Sequence, residues 1–239
     1  MSNIRHTGPV TAARRPAGEA ESARRSPGRP PVPLDRIVAT ALRIVDEEGA
    51  DALSVRTLAQ RLGSGTATFY RHFANRSQLV AQVVDRMFGE VELDTEELAA
   101  MSWHEALRTA ATALFELLGR HPNVAPLLVE QVPVGPNALV HRERSIAILL
   151  DNGFPPPLAA RAYATLAHYV LGFAIQLTSP SGQQSDDTRL SATFQGMDPA
   201  LFPATVAVAS SMPVPLEDEF AFGLELILNG LDQVRTGSA

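Results

Sequence analysis

The sequence predicts an all-α protein in which an N-terminal three-helix helix–turn–helix domain is joined to a larger helical domain. Three observations predict it. Apolar residues recur at helical spacing along most of the chain beyond Pro33. No segment alternates convincingly as a strand. The stretch Leu53 to Phe73, LSVRTLAQRLGSGTATFYRHF, reads as two short helices around a Gly-marked turn.

Residues 1–32 read as a disordered basic arm, poor in large apolar residues and carrying Arg14-Arg15, Arg24-Arg25 and Gly28-Arg29-Pro30-Pro31. Gly-Arg-Pro in a basic, Pro-rich setting is similar to the core of minor-groove arms, where an extended Arg such as Arg29 enters A·T-rich DNA. The alternative is a solvated tail. The first helix follows Pro33, whose fixed φ suits a first turn, and Asp35 meets the positive helix end. Leu34, Ile37, Val38, Ala41, Leu42 and Val45 form its expected buried stripe, and Gly49 ends it.

Ser54 can cap the next helix through the N–H of Thr57, with Val55, Leu58, Ala59 and Leu62 inward and Arg56 and Arg61 outward. Gly63 permits the reversal. A recognition helix over Thr66 to Phe73 would turn Phe69 and Phe73 inward and offer Thr66, Thr68, Tyr70, Arg71 and His72 outward. Hydroxyls, a phenol, an imidazole and a guanidinium on one short helix suit a phosphate-lined groove, although any helical hairpin has polar outer residues. Asn75 with Gln78 then makes a capping-box-like start for a fourth helix, and Arg76 just inside it can hold a DNA phosphate.

Charge divides the chain the same way. The 239-residue protein has a net charge of −6, yet residues 1–89 carry 13 Arg against 8 acids and residues 90–239 carry 7 Arg against 18 acids. A basic end favours polyanions, and an acidic remainder keeps that contact local. All basic residues are Arg and Lys is absent.

Beyond residue 90, helices are expected over Trp103 to Leu118, Asn123 to Gln131, Asn137 to Leu150, Leu158 to Thr178, Pro199 to Ser211 and Leu216 to Val234, with the polar stretch Ser179 to Pro199 as a break. Two of these are apolar on more than one face. In the helix from Leu158, Tyr163, Val170 and Leu177 widen the stripe of Leu158, Ala162, Leu166, Tyr169 and Phe173. The last helix does the same with Phe220, Phe222, Leu224, Leu226, Ile227, Leu228 and Leu231. Surplus apolar surface of this kind suits a homodimer interface.

Several function classes are disfavoured. Zero Cys excludes a disulfide framework and thiolate metal sites. The N-terminus lacks the apolar core of a signal peptide, and the run Ala162 to Leu177 is shorter than a bilayer span. HExxH, G-x-S-x-G, Walker and Rossmann signatures are missing, so no enzyme is expected. The expectation is a cytoplasmic protein without cofactor, metal site or membrane contact.

The segment from Pro33 to Phe88 resembles the N-terminal domain of the tetracycline-repressor (TetR) family. The likeness is carried by Ile37-Val38-x-x-Ala41-Leu42, Glu48-Gly49, Leu58-Ala59-x-x-Leu62-Gly63, Thr68-Phe69-Tyr70-x-His72-Phe73 and Asn75-Arg76-x-x-Leu79. A looser likeness to that family's ligand domain rests on Ser102-Trp103-x-x-x-Leu107-Arg108 and on Phe220 to Leu231. The resemblance implies a DNA-binding domain over 33–80 and an effector-binding, dimerising domain over 81–239, paired through the last two long helices. It implies that Arg56 reaches a base edge, that Thr66 and Ala67 face bases, and that Thr68, Tyr70, His72 and Arg76 bind phosphates. Two departures stand out: Ser64 replaces a small apolar residue, and Gly65 replaces the usual Ser or Thr cap.

In the family's prototype a His and an Asn grip a magnesium-chelated drug, and the corresponding positions here are Leu128 and Ala110. An apolar pair cannot do that work, which implies a more apolar effector. Candidate ligand-lining residues are Trp103, Leu107, Ala110, Leu114, Leu128, Gln131, Leu149, His168, Gly172 and Gln176. The bland alternative makes most of them ordinary core, with His168 a hydrogen-bonded interior histidine. The resemblance thus implies a repressor of a near-palindromic double-stranded DNA operator, released by a small-molecule effector. The alternatives are a ligand-independent DNA-binding or partner-recruiting regulator, and an activator.

Overall fold

The helix stripes of the sequence become one continuous apolar core, seen here in a computed structural model that describes residues 32–177 and 183–237. Residues 1–31 of the proposed arm, Arg29 among them, lie outside the described residues. Those that are described form only helices and turns.

Helix α1, Leu34–Glu48, follows extended Pro33 and buries Ile37, Val38, Ala41, Leu42, Ile44 and Val45. Leu34 is left 42% exposed, so the stripe begins one turn later than expected. Gly49 ends the helix at φ 89°, a left-handed backbone that favours glycine. Helix α2, Val55–Leu62, is capped by Ser54, whose hydroxyl accepts the Thr57 N–H at 3.0 Å. Gly63 closes it in the left-handed region at φ 56°.

Helix α3 is shorter than the sequence predicts, only Ala67–Tyr70. Thr66 precedes it without a side-chain cap, and tighter bonds such as Thr68 N–H to Gly65 O (3.1 Å) and His72 N–H to Phe69 O (2.8 Å) flank the single turn. Burial of Phe69 and Phe73 therefore holds the segment in place. Helix α4, Arg76–Phe88, has Asn75 as its cap, and Gln78 reaches back to the Ala74 N–H at 2.8 Å.

Helix α4 lies against α1 on one side and leads into the remaining helices on the other. These are α5 (Thr95–Ala100), α6 (Trp103–Arg120), α7 (Ala125–Glu130), α8 (Pro136–Asp151), α9 (Pro156–Gln176), α10 (Gln183–Gln195), α11 (Pro203–Val208) and α12 (Leu216–Gly237). Helices α5 and α10 correct the sequence reading. The first is a single short turn pair started by Asp94, and the second lies in the polar stretch expected to be a break. Neither has the apolar periodicity on which the prediction relied. Helix α6 opens with a full capping box between Ser102 and Glu105.

Helix α9 sits at the centre and touches α6, α8, α7 and α12. Leu158, Ala162, Leu166, Val170 and Ala174 are buried, at fourfold spacing. At 21 residues, starting earlier than the apolar run suggested, it is long and apolar enough by length and composition to cross a membrane. Its buried face is occupied by neighbouring helices of the same chain. In α12 the buried positions Phe220, Leu224 and Leu228 have the same spacing, while Phe222 and Leu226 are exposed. Gly223 lets α12 approach α9: a Cβ there would collide with the Tyr169 hydroxyl, which donates to Phe220 O at 2.7 Å.

Candidate DNA-binding face and effector cavity

Arg56, Thr66, Ala67, Tyr70, Arg71 and His72 are all exposed around the turn between α2 and α3, and Thr68 is half-buried. Tyr70 leaves 65% of its surface free although its neighbour Phe69 is buried. This division follows from the one-turn geometry of α3, which can send only one side inward. The Ser64 hydroxyl beneath the turn is buried with no hydrogen-bond partner among the described residues.

Two outward-facing arginines make ion pairs that the sequence alone does not reveal. Arg61 is bound to Glu47 at 2.8 Å and to Glu48, so it ties α2 to the end of α1. Arg76 pairs with Glu130 on α7 at 3.1 Å and donates to Ala50 O at 3.2 Å. In this state it joins the first helices to α7, and a DNA phosphate would have to replace Glu130. Gln131 takes part in the same junction, donating to Ser77 O at 3.3 Å.

A second junction lies at the far end of α1. His121 donates from its ring nitrogens to the Asp46 and Glu90 carboxylates at 3.0 Å each, and the Asn123 amide donates to Asp46 O at 3.0 Å. Burial works against the charged ring, but the hydrogen bonds to Glu90 and Asp46 outweigh it and hold its pKa above the ordinary histidine value.

Helices α6, α7, α8 and α9 line a cavity of about 290 Å³, with Phe88 of α4 in its wall. Its lining is mainly aliphatic, as a pocket for an apolar ligand requires. Leu107, Ala110, Leu114, Leu128, Leu149 and His168 line it, including both positions where an Asn and a His would grip a chelated drug.

Trp103, Gln131, Gly172 and Gln176 lie elsewhere. Trp103 packs edge-on against Phe154 at 5.0 Å, with the Arg235 guanidinium 5.6 Å above its ring. Gly172 and Gln176 are on the exposed face of α9. His168 is also exposed rather than interior, and reaches the cavity from that face.

The sequence reading missed Phe88, His141, Arg142, Ser145 and Tyr163 in the lining. The run His141-Arg142-Glu143-Arg144 looks like a solvated helix face, yet His141 and Ser145, four residues apart, are both buried. Burial, with the Arg144 charge adding to it, pushes His141 down to about 4, so its ring is neutral at pH 7. Among the described residues no group of acidic and histidine side chains is arranged to hold a metal ion.

Two family models match the chain: "Bacterial regulatory proteins, tetR family" over residues 37–83 and "Tetracyclin repressor-like, C-terminal domain" over residues 97–235. A curated relative, the HTH-type transcriptional repressor DrrR1 of Streptomyces coeruleorubidus, is 30% identical over 87% of this chain and 81% of its own length. The crystal structure of apo ActR from Streptomyces coelicolor superimposes with a TM-score of 0.78 at 34% identity, covering 87% of this chain and 99% of ActR. ActR in complex with actinorhodin gives a TM-score of 0.76 at 32% identity, covering 86% and 99% of the two chains. With an exposed helix–turn–helix and an apolar cavity among the later helices, the chain belongs to the TetR family of ligand-responsive, DNA-binding transcriptional regulators.

Proposed function

We propose that the protein is a homodimeric repressor that binds a near-palindromic operator and is released when a small, mostly apolar effector enters the cavity. The observation that carries this reading is Phe88: it belongs to both the cavity wall and α4, the helix that runs from the recognition segment. An effector that fits the cavity only when α4 has shifted must weaken DNA binding by the same factor that DNA weakens the effector. The repressor activity named for DrrR1 and the actinorhodin complex of ActR support the same reading.

In this account residues 33–80 read DNA and residues 81–239 bind effector and pair. Arg56 addresses a guanine edge, Thr66 and Ala67 face bases, and Thr68, Tyr70, Arg71 and His72 hold phosphates. Arg76 joins them after exchanging Glu130 for a phosphate. The exposed Ile175 on α9 and the exposed Phe222, Leu226 and Val234 on α12 are apolar surface for a second copy to cover. Operator binding places the protein in the cytoplasm.

Thermal shift against a panel of apolar aromatic compounds, paired with operator release, tests the effector reading. A compound that raises the melting temperature of free protein should dissociate the operator complex. Stabilisation by a cavity ligand with no change in operator affinity would favour a ligand-independent regulator.

A further inference from the structure

We propose that the effector is an acid: an apolar ring system bearing a carboxylate, which seats on Arg142 and hydrogen-bonds to His141. The inference rests on the reading of the cavity as the effector site and adds the chemistry of its polar end. Arg142 lies in the lining, half-buried, with no carboxylate partner among the described residues. Its Nε donates to the Tyr163 hydroxyl at 3.2 Å and one Nη to Pro133 O at 3.0 Å. Those bonds fix the guanidinium without neutralising it. The remaining N–H groups form part of a fork suited to a carboxylate.

His141 supplies the second, independent observation. It is 9% exposed, lines the same cavity one residue before Arg142, and its Nδ1 is buried with no hydrogen-bond partner among the described residues. Buried polar atoms are ordinarily paired, so an unpaired ring nitrogen in a cavity wall calls for a partner from the occupant. A neutral ring can donate or accept there according to its tautomer, and so can meet either a carboxylate oxygen or a hydroxyl on the same ring system. The Phe88 ring, 5.9 Å from His141, places this polar corner beside α4. Seating the acid would therefore alter packing on the helix that leads to the recognition segment.

The test is calorimetric binding of anthraquinone carboxylic acid and of the corresponding carboxamide to the full-length protein at pH 7. The acid should bind roughly tenfold tighter than the amide, as expected when one hydrogen-bonding partner gains a charge. In Arg142→Gln the preference for the acid over the amide should disappear. Equal affinities in the unsubstituted protein would overturn the acid assignment while leaving the cavity as an effector site. Binding of neither compound would overturn it too, and would remove support from the cavity reading itself. The comparison of acid with amide needs no variant, so it stands even if Arg142→Gln folds poorly.

Discussion

Phe69→Ala is expected to abolish specific operator binding while leaving ligand binding in the cavity nearly unchanged. The cause is the brevity of α3. A four-residue helix cannot sustain itself, since helix nucleation is unfavourable and α3 lacks a side-chain cap. What fixes it is the burial of Phe69, 1% exposed, and Phe73, 5% exposed. Truncating a buried Phe to Ala typically costs about 3–5 kcal/mol, more than a single uncapped turn can supply. Tyr70, Arg71 and His72 would then lose the fixed orientation that places them together. Urea unfolding with operator titration checks this, and operator affinity within about twofold of the parent would contradict the role assigned to Phe69.

Asp85→Ala should cause the second large loss, at the opposite end of α4. The Asp85 carboxylate, buried at 7% exposure, accepts the backbone N–H groups of Asn137 at 2.9 Å and Ala138 at 3.1 Å, and the Asn137 amide at 3.1 Å. It thus caps α8 from another helix, and its negative charge faces the positive end of the helix dipole. Gly135 allows the approach, because a Cβ there would collide with the carboxylate. Removing the acceptor strands two N–H groups in a partly buried place, for an expected loss of about 3 kcal/mol. Asp85→Asn keeps one acceptor oxygen and should lose about half as much. Because α8 carries His141, Arg142 and Leu149 into the cavity wall, Asp85→Ala should also weaken coupling between ligand and DNA. An unchanged urea midpoint would rule out this cap as a stabilising contact.

What the sequence disclosed and what it hid follow from the range of the interactions involved. Local signals were readable: Ser54 caps α2, Gly63 turns the chain in the left-handed region, and Asn75 caps α4. Each depends on atoms within a few residues. The partners of Arg61 and Arg76 depend on contacts to Glu47, Glu48 and Glu130, which no periodicity reveals. Helix α10 escaped because its first half is polar and only Leu190, Ala192 and Phe194 are apolar, too few to make a stripe over 13 residues.

The cavity shows the same division. Leu107, Ala110, Leu114, Leu128 and Leu149 could be placed in its wall because an apolar residue on a bundle helix usually faces inward. His141 and Arg142 were hidden in a charged run, although burying one face of α8 brings them to the same cavity as Tyr163. Trp103 shows the converse. Expected in the lining on a helix that borders the cavity, its ring instead packs against Phe154 and Arg235.

The most direct test of the central claim is footprinting of purified protein on the DNA flanking its own gene, across a salt titration and alongside Arg56→Ala. A dimer should protect two half-sites roughly 34–36 Å apart along a near-palindrome, and affinity should fall steeply as salt rises. Arg56→Ala should lose about 1–3 kcal/mol of operator binding and relax preference at one base pair of each half-site. Salt-sensitive binding that shows no sequence preference, and that Arg56→Ala leaves unchanged, would contradict the account.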